Sequence, residues 1–145
     1  MARMLLVLAG LLIAGTAPAA ETFTAFTDRV TVLIMKEDDA GLYAEFAPEF
    51  RTTVSPERAA SGAASLRAIY GHVRAVKLWR TGHGERRGAD GSTRPIEAAM
   101  YRVRTDKFSE NLALKLDATA LDGRYFLLGY TFMRDMGEAG PARSP

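Results

Sequence analysis

The sequence predicts an α+β domain in which three N-terminal helices pack on one face of a four-stranded antiparallel sheet. Three observations predict it. Apolar residues in the first half recur at three- and four-residue spacing. From Val73 onward they alternate at a spacing of two. Between the strands lie short turn signals rather than further helical segments, so the strands follow one another as a meander. No internal repeat interrupts this order.

Phe23, Phe26, Val30, Leu33 and Ile34 form one apolar stripe and place a first helix over Phe23 to Lys36. Asp39 can cap a second helix, Ala40 to Phe46, whose buried face holds Leu42, Tyr43 and Phe46. Pro48 is expected to end or bend that helix, leaving Phe50 to Val54 as a short, extended connection. Ser55-Pro56-Glu57 combines a capping hydroxyl, a proline at the first helical position and an acid in the first turn. The third helix then runs to Tyr70 with Ala59, Ala63, Leu66, Ile69 and Tyr70 inward, and Gly71 stops it.

The first strand is expected over Val73 to Thr81. Gly82 to Pro95, glycine-rich and charged, reads as a long exposed hairpin tip. The second strand covers Ile96 to Thr105, and Asp106-Lys107 turns the chain. The third, Glu110 to Ala118, alternates Leu112, Leu114 and Leu116 with Ala113, Lys115 and Asp117. Asp122-Gly123 favours a hairpin into a fourth strand, Arg124 to Met133, which is apolar on both faces and therefore expected at the centre of the sheet.

Two segments flank this domain, taken as residues 21–136. Residues 137–145 read as a disordered polar tail. Residues 1–19 read as a cleaved secretory signal. Arg3 supplies the positive start, Leu5 to Gly15 the short apolar run, and Ala17-Pro18-Ala19 the small-x-small pattern before the cut. Cleavage is expected after Ala19, with Ala20 as the alternative. The apolar stretch is shorter than the roughly 20 residues of a spanning helix, so no stable membrane anchor is expected after cleavage. The destination is periplasmic or secreted.

Cleavage after Ala19 leaves 126 residues with 18 Lys+Arg against 17 Asp+Glu. A near-neutral chain without a block of like charge gives no reason to expect a nucleic-acid partner. The absence of cysteine excludes thiol nucleophiles, thiolate metal sites and disulfides. An exported domain of this length must then be stable through packing alone.

Several short segments carry a resemblance. They are Asp39-Ala40-Gly41-Leu42-Tyr43 before Phe46, Ser55-Pro56, Tyr70-Gly71-His72-Val73-Arg74, the charged hairpin ending in Asp90-Gly91, and Asp122-Gly123-Arg124-Tyr125 running into Leu128-Gly129-Tyr130. Together they cover about residues 23–133. The chain resembles the nuclear-transport-factor-two-like, or cystatin-like cone, superfamily. Within it, the chain looks like a bacterial exported domain-of-unknown-function family. Phe46 and Tyr125 stand where such families often place Trp. The resemblance implies a curved, cone-like sheet with a cavity between helices and sheet. It implies no activity, because this superfamily hosts enzymes, binders and assembly modules alike.

Asp28, Tyr43, Tyr70, Tyr101, Glu110 and Tyr130 are the polar residues that can line such a cavity. A desolvated Asp28 or Glu110 could serve as general base with Tyr as donor. The plainer alternative has both acids in solvent and the tyrosine hydroxyls at the rim. Arg74, Arg80, Arg102 and Arg104 can form a basic face for an anionic ligand or a phospholipid surface. The alternative there is a solvated face with partners such as Glu97. His72 and His83 lack the acids that would complete a metal set. Gly82-His83-Gly84 has no strand-loop-helix context for phosphate. No catalytic triad or dinucleotide motif is present. No catalytic, metal or cofactor-binding residue is therefore assigned, and no cofactor is expected.

The function expected is a non-catalytic binding module for a small molecule or protein partner. One alternative is a cavity-based isomerase- or hydrolase-like enzyme. Another is a homodimeric assembly module joined through the outer sheet face, where Phe126, Leu128 and Tyr130 would stand opposite Tyr125, Leu127 and Thr131.

Overall fold

The computed structural model describes residues 19–134. Ala17 and the apolar run expected to form an export signal, like the expected tail at 137–145, lie outside the described residues. Ala19 and Ala20 are exposed and lead directly to Glu21.

Four helices precede the sheet rather than three: α1 (Phe23–Lys36), α2 (Asp39–Glu45), α3 (Pro48–Thr53) and α4 (Pro56–Tyr70). The added helix, α3, corrects the extended connection expected there. Pro48 does not close α2 but opens α3 at its first turn, where a missing N–H costs nothing. Phe46 leaves α2 with extended backbone. The Tyr43 hydroxyl then closes α3 by donating to the carbonyls of Arg51 (3.1 Å) and Val54 (2.8 Å). Ser55 caps α4 as its sequence signal predicts, whereas α2 is capped by Asp38 and not by the expected Asp39, which is its first helical residue. Thr22, Asp38 and Ser55 each accept a backbone N–H at a helix start. Gly71 ends α4 at φ +88°, where a Cβ would lie 2.2 Å from an Asp106 carboxylate oxygen.

The sheet is β1 (Val73–Arg87), β2 (Thr93–Thr105), β3 (Leu112–Leu121) and β4 (Arg124–Arg134), antiparallel and in the order 1-2-3-4. The expected hairpin tip at 82–95 is mostly paired strand, from Gly82 opposite Ala98 to Arg87 opposite Thr93. Its glycines do not break it because cross-strand bonds continue through them. β3 begins at Leu112, not Glu110, because Asn111 adopts φ +60° and ends the loop there. β4 is an edge strand, which corrects its expected central place. Its free edge is partly taken up by the chain between α2 and α3. Phe46 bridges Leu127, and the Ala47 N–H donates to the Leu127 carbonyl at 2.9 Å.

One sheet face is covered by the helices. Ala99, Tyr101, Val103, Leu112, Leu114, Leu116, Ala118, Leu127 and Phe132 pack there against Phe26 and Val30 of α1, Leu42 of α2 and Phe46 just after it. Burying a side chain such as Phe26 or Leu114 contributes about 1.5–3 kcal/mol. On α4, Ala63 is buried and Leu66 and Tyr70 are half-buried, while Ile69 turns outward at 61% exposure. That corrects its expected inward place: the stripe runs 63, 66, 70.

Three bulges set the directions of side chains on this sheet. In β1, Arg74 and Trp79 are each an extra residue, since Val73 and Ala75 face Thr105 and Arg104, and Leu78 and Arg80 face Tyr101 and Met100. In β4, Asp117 pairs with Gly129 but Ala118 pairs with Leu127, which leaves Leu128 as the extra residue.

Candidate functional site

The Leu128 bulge reverses the alternation of β4. Without it Tyr130 would share a face with Phe126 and Leu128, as simple alternation predicts. With it, Tyr130 pairs with Leu116 and Leu127 with Ala118, so both stand on the helix-covered face. Tyr130 thereby enters a cavity of about 380 Å³ between α2, α3, α4 and β4.

The walls of this cavity are apolar: Leu42, Phe46, Phe50, Val54, Ala63 and Leu66. The Phe46 and Phe50 rings stack with centroids 4.1 Å apart and form one side. Gly62 leaves a gap in the opposite wall, since a Cβ added there meets nothing within 4 Å. Three polar groups converge on this space. Burial, with the Asp39 carboxylate as second cause, pushes the Tyr130 phenol above its ordinary ionisation range, so it stays a neutral donor. Asp39 accepts from Arg67 through both oxygens, at 2.8 and 2.9 Å. Arg58, exposed on the first turns of α4, lines the cavity and makes no ion pair among the described residues.

Behind Asp39 the ion pairs continue to the surface. Arg67 Nη1 and Nη2 hold Asp39, its Nε lies 3.9 Å from Glu37, and Glu37 is bonded to His72. Sequence spacing does not reveal this chain of charges, because residues 37–39, 67 and 72 meet only through the packing of α4 on α2.

The six polar residues named from the sequence are not brought together. Tyr43 and Tyr130 line the cavity, although the Tyr43 hydroxyl is engaged by α3. Tyr70 stacks on Phe132 at 5.1 Å. Tyr101 is buried in the core beside Thr27, and burial raises its pKa. Asp28 and Glu110 are both exposed, so neither is a desolvated base. Asp39 is the carboxylate at the cavity, and a base whose two oxygens are held by one guanidinium is poorly placed to take a proton. Glu110 lines a different pocket, on the far side of the sheet.

That second pocket, about 490 Å³, includes Lys77, Arg102, Arg104, Ser109, Glu110 and Asn111. Of the four arginines named from the sequence, Arg80, Arg102 and Arg104 share the outer face. Lys77 belongs with them, although plain alternation hides it, because only the Trp79 bulge brings it into line with Arg80. Arg74 sits at a bulge and lies 3.9 Å from Asp106. Glu97 is no partner for this face. It points to the helix-covered side, where it accepts from the Tyr125 hydroxyl. Among the described residues, no three His, Cys, Asp or Glu side chains converge as metal ligands, and no helix is long and apolar enough to cross a membrane.

No family model and no curated protein matches this sequence. Solved structures do. A putative calcium/calmodulin-dependent protein kinase type II association domain from Thiobacillus denitrificans superposes with a TM-score of 0.51 at 15% identity, over 81% of this chain and 98% of that one. The two chains share a fold. Aln2 from a Streptomyces species is also similar, with a TM-score of 0.44 at 16% identity over 77% of this chain and 87% of that one. At 15% identity the likeness to the association domain is one of fold. The four helices on a four-stranded antiparallel sheet agree with it.

Proposed function

We propose that this chain is an exported, non-catalytic binding domain, of the bacterial exported family it resembles, whose cavity takes a small amphipathic molecule. The observation that carries the reading is the placement of the neutral Tyr130 hydroxyl in a cavity of about 380 Å³ whose walls are mainly apolar. A few placed polar groups in an apolar concavity are the usual make-up of a ligand site. The apolar walls suit a hydrocarbon or aryl body. Tyr130 suits a carbonyl or hydroxyl on it, and Arg58 a carboxylate at the mouth. Export rests on the first twenty residues, and the destination is the periplasm or the medium.

The test uses the chain expressed with its leader. N-terminal sequencing of the exported protein is expected to begin at Ala20 or Glu21; a chain still beginning at Met1 would sink the export reading. Native mass spectrometry of the same material is expected to reveal a bound small molecule. Failing that, small aliphatic and aromatic carboxylic acids and alcohols should raise the melting temperature. A Gly62→Trp variant, which fills the cavity from α4, should lose either effect. Binding undiminished in that variant, or no binding by either method, would overturn the cavity assignment.

A further inference from the structure

The outer face of the sheet carries a charge pattern that the cavity does not explain. Residues 73–105 hold eight Lys or Arg against three Asp or Glu, a net of +5 within a chain of net +2. Across β1 and β2 the cations Lys77, Arg80, Arg102 and Arg104 lie exposed on one face. Lys77 stands directly opposite Arg102, and like charges so placed destabilise a strand pair. The glutamates of these two strands point elsewhere. Glu97 bonds Tyr125 on the other face, and Glu85 shares Glu97's face by register.

Two of the cations are held in place by a ring. The Arg80 and Arg102 guanidinium carbons lie 4.5 and 4.9 Å from the Trp79 ring centroid. Arg80 Nε also donates to Met100 Sδ at 3.1 Å. These contacts orient the guanidinium planes. Beside them, Lys77, Arg102 and Arg104 frame the pocket of about 490 Å³, and Ser109 and Asn111 add neutral polar groups from the β2–β3 loop. One carboxylate, Glu110, lines the same pocket, which leaves it net positive.

We infer that this outer pocket is a binding site for a phosphoryl anion, with Lys77, Arg102 and Arg104 as its charged donors and Trp79 as the platform that orients Arg102. Guanidinium groups in a fixed plane favour phosphate through paired N–H donors. The phosphoryl group could be a free phosphate ester or the headgroup of an anionic phospholipid.

Trp79 is the single tryptophan of the chain, so its fluorescence reports this face directly. Full-length mature protein is titrated at low salt with inorganic pyrophosphate, with vesicles of phosphatidylglycerol in phosphatidylcholine, and with phosphatidylcholine vesicles alone. A saturable Trp79 response is expected to pyrophosphate or to the phosphatidylglycerol vesicles, and none to phosphatidylcholine alone. Response to the vesicles only would assign a lipid source, and to pyrophosphate a free one. Lys77→Gln and Arg104→Gln, both exposed and so neutral to folding, should each weaken the half-point about tenfold. Added salt should weaken it further. No Trp79 response to either anion, or a response unchanged in both variants, would overturn the site. Gly62→Trp plays no part here, so the two proposals fail separately.

Discussion

Arg67 holds both carboxylate oxygens of Asp39, at 2.8 and 2.9 Å, and so ties the last turn of α4 to the first residue of α2. Both side chains are about three-quarters buried. The tie keeps the Asp39 charge beside Tyr130. Breaking a paired, largely buried charge leaves its partner uncompensated. Arg67→Met should therefore cost about 1–3 kcal/mol in chemical denaturation. The double variant with Asp39→Leu should cost less than the two single losses added. Strict additivity would show that the pair is not coupled.

Gly62 sits in the middle of α4 with free space where its side chain would be. A helical glycine costs roughly 0.5–1 kcal/mol relative to alanine. Gly62→Ala should raise stability by about that amount. The added methyl should narrow the cavity only slightly, so ligand binding should fall much less than in Gly62→Trp. A destabilised Gly62→Ala protein, measured by urea denaturation, would mean that the space beside α4 is not open.

The Leu128 bulge decides which residues of β4 face the helices. Deleting Leu128 restores simple pairing but turns either Tyr125 and Leu127 or Tyr130 and Phe132 out of the core. That loss should exceed about 4 kcal/mol and abolish the cooperative thermal transition. Leu128→Ala keeps the extra residue and should cost no more than about 1 kcal/mol. Equal effects of deletion and substitution would mean that the side chain, and not the bulge, matters.

These cases also mark what the sequence discloses. The helix stripes, the caps at Ser55 and Gly71 and the alternation of Leu112, Leu114 and Leu116 are local patterns, each legible in a few residues. Bulges are not. Trp79 and Leu128 look like ordinary strand residues, and only the register against β2 and β3 reveals the extra one. Pro48 is ambiguous for a related reason, because a proline ends one helix as readily as it begins another. The direction was settled by Tyr43, eight residues from Arg51 and eleven from Val54. The cavity follows the same rule. Tyr43 and Tyr130 could be named as polar residues of a cone, but the charges at 39 and 67 meet through packing; Asp28, off the apolar stripe of α1, carries a local sign of its exposure, as Glu110 at the expected strand start does not.

Acid should loosen the residues that lead into α1. Burial alone would raise the Glu21 carboxyl. The hydrogen bonds from Arg29 and from the Tyr125 backbone N–H outweigh it and hold the pKa below the ordinary 4.5. A depressed acid adds stability that is complete above the unfolded value and is lost as pH falls through the folded one. The melting temperature should thus fall more steeply below about pH 4 in the native protein than in Glu21→Gln. Parallel curves would remove Glu21 from the acid response.

At the other end of the pH scale, Tyr125 is the residue to watch. Its hydroxyl donates to Glu97, and that bond, with burial and the neighbouring Glu21, pushes its pKa to about 12. The bond joins β4 to β2 across β3, beneath Phe23 and Phe26 of α1, whose rings lie 5.4 and 5.8 Å from that of Tyr125. Ionisation would set a phenolate against a carboxylate at that junction. The raised pKa makes a contribution to stability that is whole below pH 10, the ordinary tyrosine value, and is lost as pH rises through about 12. Phenolate absorbance should therefore show a late tyrosine phase near pH 12, together with loss of the folded signal. Tyr125→Phe should lack that phase and be less stable at neutral pH by about 1 kcal/mol, the usual worth of one such hydrogen bond. A Tyr125→Phe protein that keeps the late phase would assign it to the buried Tyr101 or Tyr130 instead.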